Sequence, residues 1–132
     1  MVYLHGPKTK HLKILLAIFI GGGLGSLSRF GISRLVVQLS DSKFPWGTLS
    51  ANILACAVLA LVWLWMGRDF YRYPFWSALA VIGFCGGFST FSTFSLETLL
   101  LLERQMYLWA VANVLVSVAS CLFVLYAFMK WA

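Results

Sequence analysis

One stretch near the middle of the chain combines residue types that could form an ion-binding site. It reads GFCGGFSTFSTFS over residues 83–95, so glycines and hydroxyl side chains occur together inside a long apolar run. Glycine weakens a helix, and Ser and Thr offer the backbone alternative hydrogen-bond partners. The pattern therefore predicts a helix break near Gly86–Ser89, whose freed amides and carbonyls could bind an ion. Close helix packing through small residues would explain the glycines but not the hydroxyls.

Three phenylalanines recur at every third position of this stretch, at Phe88, Phe91 and Phe94. On a continuous helix they would form a slanting aromatic stripe, which is usually a core or lipid contact. Here hydroxyl side chains alternate with the rings. Because the edge of an aromatic ring carries partial positive charge, the stripe also predicts a surface that a small anion can contact.

Two other apolar runs carry polar side chains at helical spacing. Thr48 and Asn52 are four residues apart, and Asn113, Ser117 and Ser120 follow one another at i, i+4 and i+7. Each set therefore shares one helix face. The stripes predict either an ion-lined path or interhelical hydrogen bonds worth about 0.6 kcal/mol each. Asn52 is the strongest path candidate, whereas we interpret Ser120 as an interhelical contact.

Two ionisable residues, Arg29 and Glu97, lie inside apolar runs. A central Arg costs about 2.5–3.5 kcal/mol on insertion scales, so we expect Arg29 at the interface or in a vestibule, where it attracts anions. We interpret Glu97 as a structural acceptor for hydroxyls or for Arg29, with a proton carrier as the alternative. Gly21 and Gly25 share a face with Arg29 and would allow another helix to approach closely.

The elements that position these residues are predicted to be membrane helices. Of the 132 residues, 61% are hydrophobic and only 11% are charged, whereas a soluble domain carries about 25% charged residues. A transmembrane helix needs about 20 apolar residues. Four runs are long enough, and they predict an all-α membrane protein that forms a single four-span domain over residues 1–132, with spans at about 13–38, 46–67, 74–103 and 107–131. A cleaved signal peptide is the alternative for the first run, but that run continues beyond Ser28 and three more follow.

The net charge of +6 is interpreted as cations at lipid headgroups, not as a nucleic-acid patch, because the cations flank apolar runs. Four spans place both termini on one side of the membrane. That side would carry Lys8, Lys10, Lys13, Arg68, Arg72 and Lys130, against Lys43, Arg104 and Arg34 on the other. The excess favours termini inside the cell, but it depends on the N-terminal cations. Orientation is therefore weakly specified, which permits insertion in both directions.

Signals of catalysis or metal binding are weak in this sequence. Cys56, Cys85 and Cys121 are far apart in sequence, follow no metal-ligand spacing, and are interpreted as apolar filler. Both histidines, His5 and His11, precede the spans. The sequence contains no pair of acids, nucleophile motif or phosphate-binding loop. A membrane enzyme is therefore the least favoured class.

Three of these features together resemble one known family. GTL-x-x-N at residues 47–52, the 83–95 stretch and a glycine-rich first span ending in Arg29 are similar to the Fluc (CrcB-type) fluoride channel family. The likeness covers nearly the whole chain, and the 83–95 motif is its most specific part. The resemblance implies a fluoride-selective channel in the cell inner (plasma) membrane, built as an antiparallel, dual-topology homodimer with a broken third helix. It implies passive export of fluoride from the cytoplasm, which limits fluoride toxicity.

The resemblance also implies roles for individual residues. By position, Phe91, Phe94, Asn52 and Ser117 match pathway residues of the family, and Thr48, Thr90, Ser92 and Thr93 would belong to the same polar track. Arg29 would serve the vestibule. A structural sodium ion at the dimer interface would be held by backbone carbonyls at Gly86 and Ser89. The roles of Asn113 and Glu97 stay open.

The main alternative is a small multidrug-type, proton-coupled antiporter, which would also be a four-span dimer. That class needs an acid in the first span for proton exchange. The first span here has none, so Glu97 in the third run would have to serve. The sequence therefore favours the channel.

Overall fold

A computed structural model describes residues 8–40, 42–67 and 72–130 of the chain. Within these ranges the chain is almost entirely helical. Four helical stretches are long and apolar enough to cross a membrane, at Thr9–Leu39, Trp46–Met66, Pro74–Glu103 and Tyr107–Lys130. The predicted all-α fold with four spans is confirmed. Arg68 and residue 131, which the charge and span predictions include, lie outside the described residues.

Three of the spans are single helices and the third is composite. The single helices are α1 (Lys8–Leu39), α2 (Trp46–Met66) and α6 (Tyr107–Lys130). The third span runs through α3 (Pro74–Trp76), a π-helical segment (Ser77–Cys85), α4 (Gly86–Phe88) and α5 (Phe91–Glu103). Wide π-helical turns are rare and frequently occur at functional sites. The sequence pattern gave no indication of this segment.

The third span breaks between α4 and α5. Ser89 (φ −74°, ψ 155°) and Thr90 (φ −149°, ψ 113°) are both extended. Thr90 caps α5, because its side chain accepts a hydrogen bond from the Thr93 N–H. The predicted break is therefore confirmed, and it falls at the hydroxyl residues. Gly86 keeps helical angles (φ −65°, ψ −36°), so glycine flexibility does not produce the break.

The glycines serve a different purpose, the close approach of α1 to the third span. A Cβ atom added at Gly21 would overlap the carbonyl oxygen of Leu79, and one at Gly25 would overlap that of Phe84. On the facing side, a Cβ at Gly87 would lie 2.5 Å from the carbonyl oxygen of Gly22. Backbone therefore packs directly on backbone along this contact, as in other small-residue helix interfaces.

Gly25→Ala should destabilise the protein for this reason. The added methyl group would also lie 2.8 Å from the backbone nitrogen of Phe88, and overpacking of this kind costs about 1–3 kcal/mol. Thermal unfolding of the purified protein in detergent measures the change. Gly23→Ala is the matched control, because a Cβ there meets nothing within 4 Å and alanine favours a helix by roughly 0.5–1 kcal/mol. Equal melting temperatures for the two variants would contradict the close contact.

Few large apolar side chains are buried within the single chain. The central cluster consists of Ala51, Ala55 and Phe88, with Ile32, Val58 and Phe84 packed against it. Many large side chains remain exposed, including Phe19 at 79% and Leu108 at 80%. An apolar surface of this extent requires lipid or another protein surface around it.

Candidate functional site

A cavity of about 320 Å³ opens beside the break in the third span. Its walls come from α2, the 89–90 break, the start of α5, and α6. The lining residues are Asn52, Cys56, Ser89, Thr90, Phe91, Phe94, Ser117, Val118, Cys121 and Leu122. Five residues predicted for the ion path from three separate runs therefore meet at one cavity: Asn52, Thr90, Phe91, Phe94 and Ser117.

Asn52 pairs with the broken backbone at Thr90. Its Oδ1 accepts the Thr90 N–H at 2.8 Å, and its Nδ2 is 3.4 Å from the Thr90 carbonyl oxygen, to which it donates. The Asn52 side-chain oxygen thus replaces the Gly86 carbonyl, which a continuous helix would give the Thr90 N–H as its partner. Unpaired backbone groups inside a membrane cost several kcal/mol, so Asn52 stabilises the break as well as lining the cavity.

Hydroxyl groups cluster on the other side of Thr90. Thr90 Oγ1 donates to Thr93 Oγ1 at 3.0 Å and lies 3.3 Å from Ser92 Oγ. Thr90 is buried, whereas Ser92 and Thr93 are exposed on the single chain. The cluster therefore runs from the inside of the cavity wall to the surface of the chain at the start of α5.

The aromatic stripe is divided by the break. The rings of Phe91 and Phe94 are neighbours, with centroids 5.6 Å apart. Phe88 is only 5% exposed and packs on Phe84 in the central cluster, with centroids 5.5 Å apart. The expectation of one stripe through Phe88, Phe91 and Phe94 was wrong. Two extended residues separate Phe88 from Phe91, so their spacing of three is not a helical step.

The polar stripe of α6 is tied to α5 through Asn113. This side chain is 1% exposed, donates to Thr98 Oγ1 at 2.9 Å and accepts from Ser117 Oγ at 3.3 Å. It therefore holds Ser117 at the cavity wall. Ser120 Oγ instead donates to the Val116 carbonyl of its own helix at 2.6 Å. The interpretation of Ser120 as an interhelical contact was wrong, because a hydroxyl can bond the preceding turn.

Asn113→Ala should lower the free energy of unfolding by about 1–1.7 kcal/mol, near the upper end for polar contacts between membrane helices. The change removes both hydrogen bonds by which Asn113 links Thr98 on α5 to Ser117. Thermal or denaturant unfolding in detergent measures the effect. Ser120→Ala is the control, with an expected change below about 0.5 kcal/mol, since its bonds stay within α6. The bridging role would be refuted by an equally small change for Asn113→Ala.

Thr48 and Glu97 form a second polar site. Thr48 Oγ1 donates to Glu97 Oε1 at 2.7 Å. Both residues line a smaller cavity of about 120 Å³, together with Ser33 and Ser42. Glu97 Oε2 is buried with no hydrogen-bond partner among the described residues. The interpretation of Glu97 as a hydroxyl acceptor is confirmed, and Thr48 lies at this site, outside the lining of the larger cavity.

Three predicted residues remain: Arg29, Gly86 and Ser89. Arg29 is half-buried on α1. Gly86 and Ser89 line a third cavity of about 220 Å³ next to the break, together with Cys56 and Cys85.

The cavity-lining residues that the sequence analysis missed include two cysteines, Cys56 and Cys121. Each follows a predicted path residue by four positions, Asn52 on α2 and Ser117 on α6. That spacing places them on the same helix faces. The continuation of both polar stripes was therefore the signal that could have found them.

Four membrane-length helical stretches, with a cavity between three of them whose lining includes an amide and hydroxyls, are typical of a multi-pass membrane protein that moves solutes. Residues 16–129 match the model of a family described as "CrcB-like protein, Camphor Resistance (CrcB)". The chain belongs to this family, as the 83–95 motif predicted, and is a multi-pass protein of the plasma membrane. Similar proteins from Salmonella arizonae, Salmonella paratyphi B and Salmonella newport are each 42% identical over 106 residues, covering 80% of this chain and 83% of each relative. All three are named "Fluoride-specific ion channel FluC", a name that describes a channel and not an enzyme.

Proposed function

We propose that this chain forms a fluoride-selective channel that exports fluoride passively from the cytoplasm. The observation that carries the proposal is the cavity at the break in the third span, where an amide, hydroxyls and two phenylalanine rings meet. The names of the relatives support the same ion. They do not favour the antiporter.

The lining suits the chemistry of fluoride. Fluoride is small and holds its water strongly, so a path must offer hydrogen-bond donors continuously. Asn52 carries two amide protons, and one of them is used at Thr90, which leaves the other for the anion. The edges of Phe91 and Phe94 continue the set, and the Ser117 hydroxyl joins it when its proton turns from Asn113 Oδ1, 3.3 Å away, toward the anion. Such groups replace water without trapping the anion as a row of lysines would.

The polar track extends beyond the large cavity. Thr48 lies at the smaller cavity, and Ser92 and Thr93 lead from Thr90 toward the surface of the chain. Arg29 provides positive charge that draws anions toward a vestibule. These residues form the approach to the path.

No energy-coupling device is needed for export. The acid form of fluoride crosses membranes as a neutral molecule and ionises in the cytoplasm. An anion that leaves through a pore then gains about 2.3 kcal/mol per 100 mV of inside-negative potential. A passive path is therefore sufficient to keep cytoplasmic fluoride low.

Two copies in antiparallel orientation form the functional unit in this proposal. Phe91 is 80% exposed on the single chain, although it lines the cavity, so a second copy would close that side. The weak charge bias of the flanks permits insertion in both directions. Dual topology supplies the two orientations that such a dimer needs.

A structural sodium ion at the dimer interface fits the backbone at the break. In a continuous helix, the Thr90 N–H would bond the Gly86 carbonyl and the Thr93 N–H would bond the Ser89 carbonyl. Here Thr90 N–H donates to Asn52 Oδ1 and Thr93 N–H donates to Thr90 Oγ1. The Gly86 and Ser89 carbonyls are thereby released, and unwound carbonyls are suitable Na⁺ ligands.

The test is fluoride release from liposomes that contain only the purified chain. A potassium diffusion potential drives the anion, and a fluoride electrode records its release with no pH gradient present. A channel should release fluoride under these conditions, and the rate should follow the potential. Release that requires a proton gradient would refute the channel and support the antiporter.

A further inference from the structure

Two cysteine thiols, carried by different helices, line the wall of the large cavity. Cys56 lies one helical turn beyond Asn52 on α2, and Cys121 lies one turn beyond Ser117 on α6. Both are half-buried free thiols that line the cavity. The two helices that carry them, α2 and α6, pack directly against each other. A pair of thiols is therefore held by two packed helices at a place that a solute can reach.

The third cysteine differs from this pair in its position. Cys85 is buried in the π-helical segment and shares only the neighbouring 220 Å³ cavity with Cys56. It does not line the large cavity. Cys85 therefore provides an internal comparison for any reaction of the other two thiols.

We propose that Cys56 and Cys121 form a two-coordinate site for a soft, thiol-seeking cation of the Hg²⁺, Ag⁺ or Cu⁺ class. Soft thiolate ligands select such ions over hard cations. Binding of Hg²⁺ breaks two S–H bonds, forms two S–Hg bonds and releases two protons to water, with no change of oxidation state. Because the fold holds the second thiol near the first, its effective concentration is high. The pair should therefore retain the metal far longer than either thiol alone.

Because the site lies beside the proposed fluoride path, metal binding should affect the passage of fluoride. This part of the inference rests on the proposed function. Both thiols continue the polar stripes that contain Asn52 and Ser117. A metal ion bridging them would occupy the cavity beside the proposed fluoride path. The occupied site should therefore obstruct the anion.

Metal retention tests the site without any measurement of flux. The purified full chain is loaded with HgCl₂, challenged with excess glutathione and desalted, and mercury per chain is measured by mass spectrometry. The unsubstituted protein should retain one Hg²⁺ per chain, with loss at least about tenfold slower than in Cys56→Ser or Cys121→Ser. Cys85→Ser should behave as the unsubstituted protein does. Equal loss in all four proteins, or dependence on Cys85 in place of Cys121, would overturn the proposal.

Fluoride efflux from liposomes tests the obstruction. Each protein is compared with its own rate before HgCl₂ is added, so that effects of the substitutions themselves cancel. Mercury should slow efflux by about tenfold or more in the unsubstituted protein and in Cys85→Ser, and have little effect in Cys56→Ser and Cys121→Ser. Unchanged efflux with mercury retained would refute the obstruction. A chain that conducts no fluoride would refute the proposed function, and the retention measurement would still decide on the dithiol site.

Discussion

Fluoride efflux should fall by about two- to tenfold when Phe94 or Phe91 is replaced by isoleucine. The substitution keeps apolar bulk but removes an aromatic ring, with its positive edge, from the lining of the cavity. Edge interactions of aromatic rings are worth about 0.5–1.5 kcal/mol, and about 1.4 kcal/mol of barrier corresponds to a factor of ten in rate. Efflux from liposomes that contain equal amounts of each purified protein measures the change.

Phe19→Ile provides the matched control for these two variants. Phe19 is 79% exposed and Phe91 is 80% exposed, but Phe19 lies on α1, outside the lining of the large cavity. Its replacement should leave efflux near the unsubstituted rate. Full efflux in both Phe91→Ile and Phe94→Ile would mean that the rings only fill space.

Asn52→Asp should have the larger effect, a loss of at least about a hundredfold in fluoride efflux. A carboxylate would place a negative charge at the cavity wall, and like charges about 4 Å apart repel by about 4 kcal/mol at an effective dielectric constant of about 20. The change would also set a second carboxylate oxygen against the Thr90 carbonyl, to which the amide now donates. Liposome efflux and growth of cells in fluoride medium measure the loss.

In this experiment, a loss of efflux caused by misfolding must be distinguished from a loss caused by the new charge. Gel filtration and thermal unfolding of Asn52→Asp show whether the break survives, since aspartate can still accept the Thr90 N–H. Asn52→Ser removes the amide without adding charge and should conduct better than Asn52→Asp. Unchanged fluoride resistance in cells that carry Asn52→Asp would place Asn52 away from the path.

The sequence predicted the break in the third span but assigned it partly to the wrong residues. Serine and threonine compete for backbone partners, and the structure breaks at Ser89 and Thr90. The nearby glycines instead allow α1 to pack closely, as at Gly87. Glycines that weaken a helix and glycines that let another helix pack closely give the same local sequence pattern. Composition alone therefore cannot distinguish a flexible backbone from a close helix contact.

Other features depended on contacts that sequence spacing does not reveal. Asn52 was found as a polar residue on a helix face, but its pairing with Thr90 depends on how α2 meets the break. The three-residue spacing of the phenylalanines was read as helical throughout, and the break invalidated that assumption for Phe88. Cys56 and Cys121 were overlooked because they are 65 positions apart, so sequence spacing alone does not show that they line the same cavity. The π-helical segment likewise has no local signature in its apolar sequence.

The central claim is that the break at Ser89 and Thr90 lies within the membrane and is covered by a second copy of the chain to complete the path. An experimentally determined structure of the purified protein in a lipid bilayer tests it most directly. The account predicts an antiparallel pair in which the exposed ring of Phe91 packs at the boundary between the copies. A continuous third helix, or a Phe91 ring directed at lipid acyl chains, would contradict it.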